Sequence, residues 1–166
     1  MQSGGKDKLG GVSDDKPGVI APPPVLFAIA FGAGAALDFF WLRVQTGMPA
    51  LSRSGLAVAL LTAAVALMVA AFRRLWGAGT RAGTWHPTAV VVADGVYGYS
   101  RNPMYLAAIL SYLAAAIAVD SIMAMVFLAP LFIFLHYGVI VREERYLEEK
   151  FGDKYLAYKQ KVRRWI

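Results

Sequence analysis

The fold of this chain is decided by residues 103–141, which read PMYLAAILSYLAAAIAVDSIMAMVFLAPLFIFLHYGVIV. This stretch is almost continuously apolar and is too long for one ordinary membrane-spanning helix, which needs about 20 residues. It is long enough for two such helices joined by a tight turn, and Asp120 and Ser121 mark where the turn falls. The stretch therefore predicts a helical hairpin with membrane spans over 103–119 and 121–141.

Two further apolar runs precede the hairpin, at about 25–42 and 54–72. Hydrophobic residues make up 58% of the 166 residues, which is high for a soluble domain of this size. Only structures that satisfy their own backbone hydrogen bonds can span a bilayer. The sequence therefore predicts an all-α fold, an integral membrane helical bundle with about four transmembrane helices embedded in the lipid bilayer.

The basic residues lie between the apolar runs and in the tail. Lys and Arg total 17 against 11 Asp and Glu, which gives a net charge of +6. This distribution does not form the continuous basic face that a nucleic acid would need, so no nucleic-acid partner is expected. Lys and Arg are enriched in cytoplasmic connections of membrane proteins. Their placement predicts a multi-pass protein with both termini, the loop over 75–102 and the active site at the cytoplasmic face.

Two segments differ in composition from the rest of the membrane domain, which we place over 25–166. Residues 1–24 are rich in Gly, Lys, Asp and Pro and predict a flexible N-terminal arm. The tail over 142–166 has an apolar residue at every third or fourth position, which predicts a C-terminal amphipathic cytoplasmic helix, broken at Gly152. These apolar positions are Leu147, Phe151, Tyr155, Tyr158, Val162 and Trp165.

Asp38 lies near the end of the first apolar run, and an ionisable residue in a span is a functional candidate by default. Its position also lets it reach lipid headgroups or pair with Arg43, and this structural interpretation is favoured. Gly32 and Gly34, with the alanines beside them, would let a neighbouring helix approach this run closely.

Residue types that carry metal or redox chemistry are scarce. The chain has no cysteine, which excludes disulfides and thiolate ligands. His86 is in a loop and His136 is in an apolar run, and neither takes part in an HxxxH or HExxH pattern. No metal site is therefore expected.

The polar residues that can carry chemistry flank the hairpin. Arg101, Asn102 and Tyr105 enter its first helix, and Glu143 and Glu144 follow its second. Because both of these helix ends lie at the same membrane face, the side chains can converge in a pocket of mixed charge. Arginine at a helix N-terminus favours a carboxylate, an acidic pair favours an ammonium or ribose hydroxyls, and tyrosine faces favour a cation. S-adenosylmethionine has all of these groups, and a zwitterionic lipid headgroup satisfies the same chemistry.

Three pieces of sequence together resemble a known family: GVYGYSRNPMYL over 95–106, the later EE pair, and FGDKYLAYKQKVRRWI over 151–166. The resemblance covers about residues 83–166 and is to isoprenylcysteine carboxyl methyltransferases and their phospholipid N-methyltransferase relatives. It implies a membrane methyltransferase that uses S-adenosyl-L-methionine, bound by an arginine-histidine-proline-x-tyrosine or arginine-asparagine-proline-x-tyrosine motif, a helical hairpin and an EE pair. The cofactor-binding residues that this implies are Tyr97, Arg101, Asn102, Pro103, Tyr105, Glu143 and Glu144, and the catalytic residues are Arg101, Asn102 and Glu143.

Three positions depart from the family pattern. Asn102 stands where the better-studied members have histidine, Ala107 where many have glycine, and Gly98 where a basic residue is frequent. Asparagine does not titrate near neutral pH, so a proton shuttle at this position is not available to this chain.

These features favour direct transfer of a methyl group to a lipophilic or membrane-embedded acceptor, as in isoprenylcysteine carboxyl O-methylation. The alternatives are phospholipid headgroup N-methylation, and a non-catalytic membrane scaffold or lipid-binding module with the same fold. Glu143 and Glu144 are about 100° apart around a helix and cannot point in one direction. We assign Glu144 to the cofactor, and Glu143 to the substrate or to the support of Arg101.

The acceptor is expected to enter sideways from the bilayer, through a groove between the two helices of the hairpin. The apolar walls of this groove would be Met104, Leu106, Ile109, Phe134 and Tyr137.

Overall fold

The computed structural model describes residues 18–80 and 89–166, and all regular structure in these two ranges is helical. The predicted flexible arm lies outside the described residues as far as residue 17, and so does His86. The elements are α1 (Pro23–Leu37) with a π-helical turn (Asp38–Leu42), α2 (Ala50–Gly77), a 3-10 turn (Gly95–Gly98), α3 (Pro103–Ala118), α4 (Ile122–Leu135) with a second π-helical turn (His136–Ile140), α5 (Val141–Phe151) and α6 (Asp153–Lys161).

Three helical stretches are long and apolar enough to cross a membrane, namely Pro23–Leu42, Ala50–Gly77 and Ile122–Phe151. A fourth apolar helix, Pro103–Ala118, is shorter. The predicted all-α membrane bundle is thus confirmed.

The predicted span over 54–72 is the apolar part of a longer helix. α2 begins directly after Pro49 and continues through Arg73 and Arg74 to Gly77. Arginine has a high helix propensity, so this pair does not interrupt the hydrogen bonding of the helix. Both arginines are exposed residues of α2.

The hairpin turn falls at the predicted residues. Asp120 adopts a positive φ of 57°, and Ser121 caps α4 by accepting a hydrogen bond from the N–H of Ala124 at 3.0 Å. The carboxylate of Asp120 accepts hydrogen bonds from Arg53 at 2.5 Å and from the N–H of Thr46 at 3.0 Å. The turn is therefore tied to the first turn of α2 and to the connection that precedes it.

α1 packs along α4 at a distance that only glycine permits. A methyl group added at Gly34 would lie 2.6 Å from Cα of Ala124, well inside van der Waals contact. A methyl group added at Gly32 would meet nothing within 4 Å. The predicted close approach of a neighbouring helix is therefore present at Gly34 and absent at Gly32.

Asp38 takes part in this same contact. Its carboxylate accepts hydrogen bonds from Oγ of Ser121 at 2.5 Å and from the N–H of Met123 at 2.8 Å, and the residue is 6% exposed. A carboxylate at the N-terminus of a helix satisfies unpaired N–H groups there and complements the helix dipole. The expectation that Asp38 reaches headgroups or pairs with Arg43 is wrong, because α4 covers this end of α1.

The fourth span and the start of the tail form one continuous helix. α4 passes through its π-helical turn into α5 and ends only at Phe151. Gly152, with a φ of 53°, then interrupts the helix as predicted, and α6 begins at the next residue. Glu143 and Glu144 therefore lie on a rigid extension of a membrane helix.

Gly34→Ala should weaken the contact between α1 and α4, because the added methyl group would overlap the backbone of Ala124. Overpacking of this kind costs about 1–3 kcal/mol, so the midpoint of thermal unfolding in detergent should fall. Gly32→Ala adds the same group to the same helix in open space and is the control. Equal midpoints for the two variants would contradict this packing of α1 on α4.

Candidate active site

The site is built around the residues that begin α3. Pro103 takes the first helical position, where its missing N–H has no helical partner to lose, and Asn102 takes the cap position. The side chain of Asn102 does not cap the helix and instead donates to the carbonyl oxygen of Arg164 at 3.0 Å. The main-chain N–H of Arg101 donates to the carbonyl oxygen of Arg163 at 3.0 Å. The C-terminal segment is thus joined to the start of α3.

The two ends of the hairpin meet through polar side chains, as the sequence predicts. The hydroxyl of Tyr105 donates to Oε1 of Glu143 at 3.0 Å. Glu144 is 5% exposed and lies between two arginines. Arg164 binds it with two prongs, Nε to Oε1 at 2.9 Å and Nη2 to Oε2 at 2.7 Å, and Nη1 of Arg101 lies 3.1 Å from Oε1.

A cavity of about 710 Å³ opens beside α3, a volume typical of sites for small molecules and cofactors. Its polar end is lined by Tyr97, Arg101, Asn102, Glu143, Tyr155 and Tyr158. Its apolar part follows one face of α3 for about 16 Å, between Met104 and Ala115. The apolar part is lined by Met104, Ala108, Ser111, Tyr112 and Ala115 of α3 and faces Phe27 and Phe31 of α1. We call this part the apolar slot.

The apolar slot does not lie in the groove that the sequence predicts. Met104 lines the cavity, but Leu106 and Ile109 do not, and Phe134 and Tyr137 are exposed on the outer surface. The prediction assumes that α3 and α4 enclose the site alone. The cavity instead opens on the side of α3 that faces α1 and α2, because α1 packs against α4.

The two glutamates are oriented differently from the sequence-based assignment. Glu143 lines the cavity, whereas Glu144 does not line it and supports Arg101. A π-helical turn, His136–Ile140, precedes both residues. The expectation that Glu143 supports Arg101 is wrong, because Glu144 forms that ion pair, whereas a contact of Glu143 with the substrate stays a prediction. The assignment of Glu144 to direct cofactor contact has no support from the cavity lining.

Arg101 has hydrogen-bonding capacity that the described part of the chain does not use. Its side chain is 8% exposed, yet its Nε and Nη1 make no hydrogen bond within the described residues. The contact with Glu144 is an ion pair without hydrogen-bond geometry. Buried donors without acceptors are costly, and Arg101 lines the cavity. Because these two nitrogens have almost no accessible surface, the positive charge of Arg101, rather than Nε or Nη1 as donors, favours an anionic group in the cavity.

Three buried tyrosines complete the polar end of the cavity. The hydroxyl of Tyr158 donates to the carbonyl oxygen of Tyr97 at 2.8 Å, which joins α6 to the segment before α3. Burial raises the pKa of Tyr155 to about 12, and the charge of Glu144 acts in the same direction. Burial likewise raises the pKa of Tyr97 and of Tyr158 above the ordinary tyrosine value. These hydroxyls stay protonated at neutral pH and can donate hydrogen bonds.

Six of the seven predicted cofactor residues line one cavity, and Glu144 is the exception. Three residues of the site were not predicted. Tyr155 and Tyr158 count in the sequence as members of an amphipathic stripe, and Arg164 as part of a basic tail. The available signal is that Arg164 lies between Val162 and Trp165, the last two members of this stripe, which places a cation beside the face that the stripe buries.

The polar end therefore presents the positive charge of an arginine, a carboxylate and tyrosine rings in one cavity. A guanidinium binds carboxylates, a carboxylate binds ammonium or hydroxyl groups, and aromatic faces attract cations. This donor set fits the amino-acid end, the ribose and the sulfonium of S-adenosylmethionine.

Comparison with known proteins places the chain in a family. The sequence model of the phospholipid methyltransferase family matches residues 52–154, more than half of the chain, so the chain belongs to this family. Membership indicates a membrane methyltransferase. An uncharacterized protein of Haemophilus influenzae is 43% identical over 63 residues, which are 38% of this chain and all of that protein. No solved structure gives a significant match.

Glu144→Gln should destabilise the protein, because it leaves two guanidinium groups around one neutral acceptor. Removing one partner of a buried ion pair costs about 3–5 kcal/mol, and the lower end applies because the side chain of Arg164 is 28% exposed. The measurement is the midpoint of thermal unfolding in detergent. Glu149→Gln neutralises an exposed residue of the same helix and should leave the midpoint unchanged. Equal shifts would contradict the placement of Glu144 between the arginines.

Proposed function

We propose that this chain is an S-adenosylmethionine-dependent methyltransferase that acts at the cytoplasmic face of a membrane on a lipophilic acceptor. The observation that carries the proposal is the composition of a single cavity. At one end lie the positive charge of Arg101 and the carboxylate of Glu143, and at the other lies the apolar slot. A charged end joined to an apolar slot suits two ligands, a small zwitterion and an amphiphile, that meet end to end.

The polar end would hold the cofactor. When bound, S-adenosylmethionine supplies a methyl group made electrophilic by the positive sulfonium. Arg101 would bind its carboxylate, and Glu143 would bind its ammonium group or ribose hydroxyls. The rings of Tyr97 and Tyr105 line the same end and would favour positive charge.

The apolar slot would hold the chain of the acceptor and place its reactive head at the polar end. Excluding water and aligning the two ligands are then the main contributions of the protein. A carboxylate acceptor, as in isoprenylcysteine O-methylation, is already ionised at neutral pH and needs no base. Asn102 would hold the start of α3 in place through its bond to Arg164 and would take no part in proton transfer.

A phospholipid amine is the second candidate acceptor, and a specific contact favours it. An amine must lose a proton when it is methylated, and Glu143 is a carboxylate at the polar end of the cavity. Its hydrogen bond from Tyr105 would hold it in position to accept that proton. The family match, to phospholipid methyltransferases, agrees with this acceptor.

The first test is binding of S-adenosylhomocysteine to the purified chain, followed by transfer of radioactive methyl from the cofactor to membrane lipids and prenylated peptides. Arg101→Gln should weaken binding about ten- to hundredfold, because it removes charge-assisted hydrogen bonds worth about 1.5–3 kcal/mol. Arg145→Gln removes an equal charge from an exposed position nearby and should have no effect. Absence of binding would overturn the proposal, and binding without transfer to any lipid or peptide would favour a lipid-binding module.

The second test varies the length of the acceptor's chain while its reactive head stays fixed. Each methylene buried in the apolar slot contributes about 0.8 kcal/mol, so kcat/KM should rise with chain length until the slot is full. Ser111→Leu fills part of the slot and should shift the optimum to shorter chains.

Ala118→Leu is the control for that shift, because Ala118 is exposed on the same helix and does not line the cavity. A flat profile over chain length, or an optimum that Ser111→Leu does not move, would show that the acceptor does not use the slot.

A further inference from the structure

Arg164 does not line the cavity, yet its side chain makes several polar contacts beside it. Its guanidinium engages both carboxylate oxygens of Glu144, at 2.9 Å and 2.7 Å. We propose that Arg164 is a positioning residue, which occupies Glu144 and so keeps Arg101 in the orientation in which it lines the cavity and faces the anionic group of the methyl donor. This inference rests on the proposed function, because it assumes that the methyl donor binds at Arg101.

Two arginines compete for the carboxylate of Glu144. A carboxylate and a guanidinium pair most strongly through two parallel hydrogen bonds. Arg164 has this arrangement, whereas Arg101 approaches Oε1 of Glu144 at 3.1 Å without hydrogen-bond geometry. Arg101 therefore gains the electrostatic support of the carboxylate and keeps its place in the lining of the cavity.

The surrounding structure holds Arg164 in place. Its Nη1 lies 3.1 Å from Nε2 of His136, and because arginine is always the donor, this histidine nitrogen must be the acceptor. The main-chain carbonyl of Arg164 accepts hydrogen bonds from Asn102 at 3.0 Å and from Ser100 at 3.3 Å. The ring of the next residue, Trp165, lies 5.0 Å from the ring of Phe132. The guanidinium is thus oriented before any ligand binds.

Loss of Arg164 would change the partners of Glu144 and Arg101. Glu144 would keep a buried carboxylate without its two-pronged partner, and Arg101 is the cation beside it. Arg101 would then form the two-pronged pair itself and turn away from the cavity that it now lines. Affinity for the methyl donor would fall although no residue that touches the ligand had changed.

The test measures binding of S-adenosylhomocysteine by calorimetry to the full chain in detergent. Arg164→Gln should raise the Kd about tenfold or more. Arg164→Lys, which keeps the charge without the two prongs, should give an intermediate Kd, and the exposed control Arg145→Gln should match the unaltered chain. With S-adenosylmethionine as substrate, Arg164→Gln should raise its KM and leave kcat and the KM of the acceptor nearly unchanged. A general folding defect would change all three kinetic constants, kcat and both KM values.

A double substitution separates action through Glu144 from any independent effect. In the Glu144→Gln background, Arg164→Gln should have a much smaller effect on the Kd, because the residue through which it acts has been neutralised. An undiminished effect in that background would overturn the inference, as would a normal Kd for Arg164→Gln or for Arg164→Lys. Failure of the unaltered chain to bind S-adenosylhomocysteine would instead overturn the proposed function, and this inference with it.

Discussion

The candidate site depends on one buried carboxylate, that of Glu144. Its two cationic partners come from distant parts of the chain, Arg101 at the start of α3 and Arg164 near the C-terminus. A carboxylate this deeply buried is strongly unfavourable without partners. The three segments must therefore assemble together, and the same ion pairs that stabilise the fold also shape the polar end of the cavity.

Polar contacts define the opposite end of the bundle in a similar way. Asp38 binds the start of α4, and Asp120 binds Arg53 and the segment before α2. Apolar helices have no hydrophobic reason to prefer one another inside a lipid bilayer, so close packing at small residues and interhelical hydrogen bonds decide which helices meet. The contact of Gly34 with Ala124 is close packing at small residues, and the hydrogen bonds of Asp38 and Asp120 are the interhelical kind.

The features that the sequence predicts correctly depend on local chemistry. A polar pair in a long apolar run forms the turn at Asp120, Pro103 begins α3, and Gly152 ends α5, because each residue type restricts or permits the backbone at its own position. That the start of α3 meets the residues after α4 follows from the hairpin, and the hydrogen bond of Tyr105 with Glu143 is one such contact.

The features that the sequence does not predict depend on how helices rotate and which helices pack. No local pattern places α1 on α4, and this packing decides both the partner of Asp38 and the position of the apolar slot. Which of Glu143 and Glu144 lines the cavity depends on the rotation of α5, which follows the π-helical turn His136–Ile140. That turn contains ordinary residues of an apolar helix, so its effect on the rotation of α5 is visible only in three dimensions.

Only part of the cavity lining falls within the residues that the family model matches. The family match covers residues 52–154, whereas α1, which contributes Phe27 and Phe31 to the apolar slot, lies before it. Under the proposed function, α1 supplies part of the wall that meets the acceptor's chain and no partner of Glu144. Substitutions at Phe27 and Phe31 would change which lipids fit and leave the ion pairs of Glu144 intact. The first helix is therefore where evolution could adapt one methyl-transfer site to the lipids of different membranes.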